Sequence, residues 1–286
     1  MRRSLLFIPG NNPGMVQNSD IFDADAIIFD LEDAVLPQEK DAARTLLHAY
    51  FKQFPSAPYE TIVRINTNDS SIMMEDLSMC LSSRVDAIMV PKATKQSLFE
   101  FLDILVTMEH SLGISPRVTL IPIIETARAV WEAYEIVQCP RVSGVLLGAE
   151  DLSTDLGIPR TASNLEILVP RSLVVLAAKA VKIDAIDTPF LDVDQEANLR
   201  ADAEFSHSIG MNAKACIHPL QVGIIHEVFS PTSAEIRQAQ KLLLAEEKAK
   251  LEGKGAFSVD GKMVDKPILE RAHHLLEKAK VWGLIP

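Results

Sequence analysis

The chain has 286 residues, 48% of them apolar and 23% charged, with 28 Lys and Arg against 39 Asp and Glu for a net charge of −11. That apolar content excludes a disordered chain, and the length fits either two ordinary domains or one α/β barrel. The acidic balance, with no basic stretch longer than a pair, argues against nucleic-acid binding, and three scattered cysteines without a CxxC spacing point to a reducing cytoplasm rather than a disulfide framework.

The first run, Met1 to Gly10, starts basic, but its apolar stretch stops at Pro9-Gly10 after four residues, too short for a signal peptide. No later segment is long and apolar enough to predict a membrane span. Short apolar runs recur at Ser4–Pro9, Ala26–Asp33, Thr61–Asn66, Ala87–Lys92, Thr119–Glu125, Gly144–Asp151, Ile183–Pro189 and Ala213–Pro219. Most are rich in Ile, Val, Leu or Phe, as buried parallel strands are. Segments with helical periodicity, such as Ser97–His110 and Ser172–Lys182, lie between them. Eight strands alternating with helices over about 220 residues predict a (β/α)₈ barrel at residues 1–230. A doubly wound sheet is the runner-up, but its first strand would usually precede a glycine-rich phosphate turn, and Pro9-Gly10-Asn11-Asn12-Pro13-Gly14 matches none. Residues 231–286 read as an extension: a helix at Ala234–Lys250, a glycine-punctuated run with Asp260-Gly261 as a tight turn, and a last helix from Pro267 to about Trp282.

Barrel chemistry collects at the C-terminal ends of the strands. Here those ends are polar: Asp30-Leu31-Glu32-Asp33, Arg64-Ile65-Asn66, Pro91-Lys92, Glu125-Thr126, Glu150-Asp151 and His218-Pro219. Acids and cations converging on one mouth call for an organising partner, and a divalent metal held by hard oxygens is an economical one. Glu125 and Asp151 are the favoured ligands, because Glu125 closes a very apolar strand where an unpaired charge is costly. Blander readings stand beside these. Asp33 or Asp151 could be helix N-caps, Arg64 could neutralise Glu32 or Asp33, and Lys92 could be an ion-pair partner or a Schiff-base lysine. No HxH, HExxH or GxSxG spacing supports a zinc site or a serine hydrolase, and His218 reads as a hydrogen-bonded strand-end histidine.

Several motifs in this order resemble the citrate lyase β-subunit-like (CitE-like) family of the HpcH/HpaI aldolase superfamily. They are Arg3-Ser4-Leu5-Leu6-Phe7-Ile8-Pro9-Gly10, Asp30-Leu31-Glu32-Asp33-Ala34-Val35, Val63-Arg64-Ile65-Asn66, Val90-Pro91-Lys92, Ile123-Ile124-Glu125-Thr126, Leu147-Gly148-Ala149-Glu150-Asp151-Leu152 and Asp260-Gly261-Lys262-Met263-Val264-Asp265. Each is weak alone; together they cover nearly the whole chain.

The resemblance implies a (β/α)₈ barrel with a C-terminal extension, assembled as a trimer or hexamer. It implies Mg²⁺-dependent cleavage (Mn²⁺ substituting) of a 3-hydroxyacyl thioester to acetyl thioester and a 2-oxo acid. By match to the motifs, Glu125 and Asp151 are the metal ligands, and Arg64 is the substrate-carboxylate and oxyanion partner. Glu32 and Asp33 are acids around the metal's water, and Lys92 is a substrate-binding cation. The pyruvate-aldolase branch carries a catalytic histidine near the second strand; Asp30–Pro37 has none, which favours the thioester branch.

Within that branch a free-standing citramalyl-CoA or malyl-CoA lyase, with citramalyl-CoA or a citryl thioester as substrate, is preferred. A citrate lyase β-subunit acting on citryl-carrier protein in a complex, and a non-catalytic barrel binding 2-oxo acid and CoA, are the alternatives. Arg2, Arg3 and Lys92 are available for the CoA phosphates. Asp260 is expected to be the acid–base residue, acting on a neighbouring subunit's barrel from a loop that Gly253, Gly255 and Gly261 allow to move. The blander alternative is an Asp-Gly turn that only reverses the chain.

Overall fold

The computed structural model describes residues 1–161, 163–251 and 257–286 and divides the chain into two compact units, Arg2–Val228 and Phe229–Pro286. In the first, eight parallel strands pair in sequence order and close on themselves, as the alternation predicts: β1 (Ser4–Pro9), β2 (Ala26–Asp30), β3 (Glu60–Arg64), β4 (Ala87–Val90), β5 (Thr119–Ile124), β6 (Gly144–Leu147), β7 (Asp184–Asp187) and β8 (Ala213–Cys216). The helices of this unit are α1 (Pro13–Gln17), α2 (Lys40–Gln53), α3 (Ser70–Ser82), α4 (Lys95–Leu112), α5 (Ala127–Trp131), α6 (Ala133–Val137), α7 (Ala149–Leu156), α8 (Leu168–Ala180), α9 (Glu196–Ser208) and α10 (Leu220–Phe229). Among the described residues, no helix is long and apolar enough to cross a membrane.

The two faces of each strand have separate partners. Leu5, Ile28, Ile62, Met89, Ile121 and Ile186 meet inside the barrel, fully buried. On the outer face of β2, Phe29 packs edge-on against Phe51 of α2, ring centroids 5.1 Å apart. Both faces are apolar, which is why the strands read as continuous hydrophobic runs rather than as alternation. Local chemistry sets the helix starts: Asn12, Asp69 and Thr126 accept backbone N–H bonds at the first turns of α1, α3 and α5, and Thr94 with Ser97 forms a capping box on α4.

Most of the strands stop two to four residues before the predicted apolar runs do. The extra residues are the loops of the C-terminal face. Asp30 ends β2 because its carboxylate accepts from the backbone N–H groups of Glu32 (2.9 Å) and Ala34 (3.0 Å), bending the chain out of the ladder.

At the opposite end, Arg2 donates to Glu60 at 2.5 and 2.8 Å and to Asp184 at 2.8 Å, joining the starts of β3 and β7. Arg3 holds Asp25 at 2.7 Å. These pairs correct the phosphate-binding expectation for Arg2 and Arg3, whose guanidiniums tie strand starts together at the end away from the cavity.

In the second unit, α11 (Ser233–Leu251) precedes an antiparallel hairpin of β9 (Phe257–Val259) and β10 (Lys262–Val264), then α12 (Lys266–Val281). Asp260 and Gly261 both take positive φ (50° and 76°), the geometry of a two-residue hairpin turn that glycine and aspartate tolerate. Asp265 caps α12 by accepting from the Ile268 N–H at 3.2 Å. Gly253 and Gly255 lie outside the described residues.

Candidate active site

A cavity of about 450 Å³ opens at the C-terminal ends of the strands, lined on its polar side by Asp30, Asp33, Arg64, Glu125, Glu150 and Asp151. Strand register builds its centre. Asp30 and Arg64 are register partners at the ends of β2 and β3. The Arg64 guanidinium donates to both Asp30 oxygens, Nε at 2.8 Å and Nη2 at 2.6 Å. Its remaining Nη1 faces Glu32 Oε2 at 3.1 Å and Asp33 Oδ2 at 3.8 Å, and the group lies 5.1 Å over the Phe7 ring. Burial works against this charge, but the Asp30 hydrogen bonds and the surrounding carboxylates outweigh it and raise the Arg64 pKa above the ordinary value.

The loop carrying Glu32 is held from below by a buried lysine. Lys40 Nζ donates to the carbonyls of Leu31 (2.8 Å) and Glu32 (3.0 Å) and to Asn66 Oδ1 (2.5 Å). Lys92 extends outward, 41% exposed, with Nζ 4.0 Å from Glu32 Oε1.

Glu125 directly follows β5. Thr126 supplies the N-cap of α5, which leaves the Glu125 carboxylate free to face the cavity. It is 4% exposed, yet its Oε2 has no hydrogen-bond partner, and Glu32 Oε1 is also unpartnered. Desolvation first, then the carboxylates of Glu32 and Asp151, push the Glu125 pKa up to about 8. Desolvation likewise raises Glu32 to about 7, against the pull of Arg64. Gly148 makes room here: a Cβ at that position would lie 2.5 Å from Glu125 Cγ.

The N-terminus of α7 has no side-chain cap, and the Ala149 N–H reaches only a long bond of 3.3 Å to Thr188 Oγ1. Asp151 sits in the first turn of this helix, not at its cap, and Asp33 caps no helix; the N-cap alternatives for both are thereby removed. Buried, unpartnered carboxylate oxygens beside an exposed aspartate are what a hard divalent cation would fit. Among the described residues no three His, Cys, Asp or Glu side chains form a ready-made cage. Two carboxylates with water and substrate completing the shell is the usual arrangement for Mg²⁺.

Glu32, Asp33, Arg64, Lys92, Glu125 and Asp151 are thus gathered at one mouth, while Asp260 belongs to the second unit. It is exposed and pairs with Lys241 of α11, whose hydrogen bond lowers its pKa. His218 accepts from the Leu220 N–H at 3.3 Å, as a strand-end histidine does.

Residues 3–219 match the profile described as HpcH/HpaI aldolase/citrate lyase. The chain belongs to that family. A protein named citrate lyase subunit beta from Leuconostoc mesenteroides is 35% identical over all of this chain and 95% of its own length. A (3S)-malyl-CoA thioesterase from Cereibacter sphaeroides is 35% identical over 97% of this chain and 94% of its own. Two solved structures from Mycobacterium tuberculosis are also similar. The protein CitE with magnesium, acetoacetate and coenzyme A has a TM-score of 0.78 at 30% identity, covering 97% of each chain. A citrate lyase beta subunit with oxaloacetate and magnesium has a TM-score of 0.69 at 30% identity, covering 80% of this chain and 97% of that one.

Two residues that position this family's mouth here, Asp30 and Lys40, carry no assigned role in the sequence reading. Asp30 could have been found as the acid across from Arg64 once the two strand ends were aligned. Lys40 lies at the start of a helix, where nothing in the sequence distinguishes a buried lysine from a solvated one.

Proposed function

We propose that the chain is a Mg²⁺-dependent carbon–carbon lyase that cleaves a 3-hydroxyacyl thioester, citramalyl-CoA or a citryl thioester, to acetyl thioester and a 2-oxo acid. The observation that carries the reading is the Glu125 carboxylate, buried at the cavity with an unpartnered oxygen and Asp151 close enough to raise its pKa. Glu125 and Asp151 would hold the ion. When bound, Mg²⁺ supplies Lewis-acid polarisation of the 2-oxo acid's oxygens and compensates the crowded carboxylates.

Arg64, fixed by Asp30, presents an always-charged donor set to the oxygen that gains negative charge as the bond breaks. Glu32 and Asp33 order water beside it, Lys92 reaches toward the substrate from the rim, and the free amides of α7 suit a carboxylate. Cleavage takes the proton from the 3-hydroxyl as that oxygen becomes the oxo group, and leaves the bonding pair on the thioester α-carbon, which must take that proton up. Asp260, carried at a hairpin turn, is the residue we assign to that transfer, acting on a neighbouring subunit's barrel in a cytoplasmic trimer or hexamer. The extension at residues 231–286 is then the closing element.

Incubation with citramalyl-, malyl- and citryl-CoA, with and without EDTA, tests the reaction. Chelator-sensitive release of acetyl-CoA is expected, and turnover indifferent to EDTA overturns the metal assignment. Mixing inactive Asp260→Ala with inactive Glu125→Ala should restore activity in exchanged oligomers; full activity of Asp260→Ala alone reduces the residue to a turn. The relative named citrate lyase subunit beta favours a second reading, a subunit acting on a carrier-protein thioester, which the same assay with a citryl-carrier substrate would show.

A further inference from the structure

We infer that Thr188 is a substrate-binding residue of this mouth, its hydroxyl donating to the carboxylate of an oxo acid laid over Gly148. The inference rests on the lyase reading above, since it presumes that an oxo acid occupies the cavity.

Strand alternation puts Thr188 where it can act. Ile186 of β7 is buried in the barrel interior, and Asp187 turns outward to accept from Arg171 of α8. Successive side chains alternate, so Thr188 turns inward again. The same step of two from Ile28, Ile62 and Ile123 gives Asp30, Arg64 and Glu125, and all four residues line the cavity. Thr188 is the one of these four to which the lyase reading gives no part.

Register sets its neighbours. β5 and β6 pair Ile124 with Leu147, while β6 and β7 pair Leu146 with Ile186. Carried on to the strand ends, these registers set Glu125, Gly148 and Thr188 side by side. Gly148 has no side chain, and a Cβ there would lie 2.5 Å from Glu125 Cγ. Its bare backbone leaves a slot in the cavity wall, with the Glu125 carboxylate on one side and Thr188 on the other.

The hydroxyl is fixed and has a proton to give. Thr188 is 1% exposed, and its carbonyl accepts from Lys214 Nζ at 2.7 Å. Pro189 behind it restricts its backbone to the extended region. Its Oγ1 accepts the Ala149 N–H at the start of α7, at 3.3 Å. Among the described residues the Thr188 O–H donates to no protein group, and a buried donor without a partner is costly. Receiving a bond from a helix N-terminus also polarises the hydroxyl toward donation. A substrate carboxylate in the slot has two oxygens to satisfy. The ion assigned to Glu125 and Asp151 takes one, and the Thr188 hydroxyl takes the other.

Calorimetric titration of the full chain tests this without turnover, first with Mg²⁺ alone and then with pyruvate at saturating Mg²⁺. Thr188→Val keeps the shape and removes the hydroxyl, whereas Thr188→Ser keeps the hydroxyl. Thr188→Val should bind pyruvate about tenfold or more weakly, the scale of a hydrogen bond to a charged group, and Thr188→Ser should stay within about threefold of wild type. Mg²⁺ alone should bind Thr188→Val as it binds wild type, because Glu125 and Asp151 are untouched. In turnover the KM of the thioester should rise with little change in kcat, the sign of binding that is equal in ground and transition states.

Unchanged pyruvate binding in a folded Thr188→Val, no rescue by Thr188→Ser, or no pyruvate binding by the wild-type chain with Mg²⁺, overturns the inference. So does an equal loss of Mg²⁺ binding, which would make Thr188 a support for α7 and nothing more. If Thr188→Val does not fold, Thr188→Ala takes its place in the same titrations. The lyase reading fails separately. A chain that loses pyruvate with the hydroxyl yet cleaves no thioester keeps Thr188 and loses the lyase, whereas one whose Thr188→Val cleaves thioester at the wild-type KM keeps the lyase and loses Thr188.

Discussion

Away from the cavity, the buried carboxylates of the barrel are matched by cations. Arg2 bridges Glu60 and Asp184, while Arg171, Asp187, Asp202 and Lys214 form a buried cluster with contacts of 2.5–3.0 Å. At the ends of the strands the same residue types are left incomplete: Glu32 and Glu125 each keep a buried oxygen without a partner. Burial has opposite electrostatic results in the two places. Asp202 is desolvated too, but the ammonium of Lys214 and the guanidinium of Arg171 hold its carboxyl well below the ordinary range. Glu125 meets mainly other carboxylates and is pushed up to about 8. A buried charge with partners is architecture, and one without them marks a place where something else must bind.

The contrast can be broken at its sharpest point. Glu125→Gln keeps the side-chain volume and removes the capacity to ionise and hold the cation; lyase turnover is expected to fall by about 10³-fold or more, the scale of losing a Lewis-acid site. Its thermal midpoint should not fall, because a strained carboxylate is exchanged for a neutral amide. A loss of midpoint with normal turnover would make Glu125 structural. Next in size, Arg64→Lys loses the two-pronged contact to Asp30, and kcat/KM should drop by about 10²-fold. A change of less than twofold would mean the fork is not used.

On the matched side the readout moves from rate to stability. Lys214→Met leaves Asp187 and Asp202 with one fewer buried cation and should cost about 3–5 kcal/mol in urea unfolding, the usual effect of breaking a buried pair. A cost near zero would mean that water or rearrangement replaces the ammonium.

The smallest effect is the pH dependence of that cluster. Asp202 ionises below its ordinary 3.8 in the folded chain. Its contribution is therefore complete above that ordinary value and is lost as pH falls through the lower folded value, where the native carboxylate finally takes its proton. The difference in unfolding midpoint between wild type and Asp202→Asn should stay constant from neutral pH to about 5 and shrink below 4, the region of the unfolded aspartate pKa. A difference that grows on acidification would reverse the assignment.

The barrel was legible because each strand is an apolar run closed by ionisable residues, and because helix caps such as Asn12, Asp69 and Thr126 are written locally. Six candidate residues at the mouth were legible for the same reason, since the last residues of parallel strands necessarily share one face. For the ion-pair reading of Arg64 that stands beside its substrate role, the sequence offers Glu32 or Asp33, yet its closest partner is Asp30, an outcome of the β2–β3 register. Arg2 and Arg3 looked like free cations near the N-terminus, and the carboxylates they hold come from residues 22 to 182 positions away.

Apolar periodicity and turn chemistry act over a few neighbours, so composition and spacing were enough to define eight strands, their order and the end of the barrel where reactive groups gather. Pairing and protonation depend on which groups meet after the barrel closes and on how much water remains around them. Only the closed structure could therefore separate the satisfied Asp202 from the unsatisfied Glu125, because desolvation and Coulomb interaction act through space and leave no trace in the order of residues.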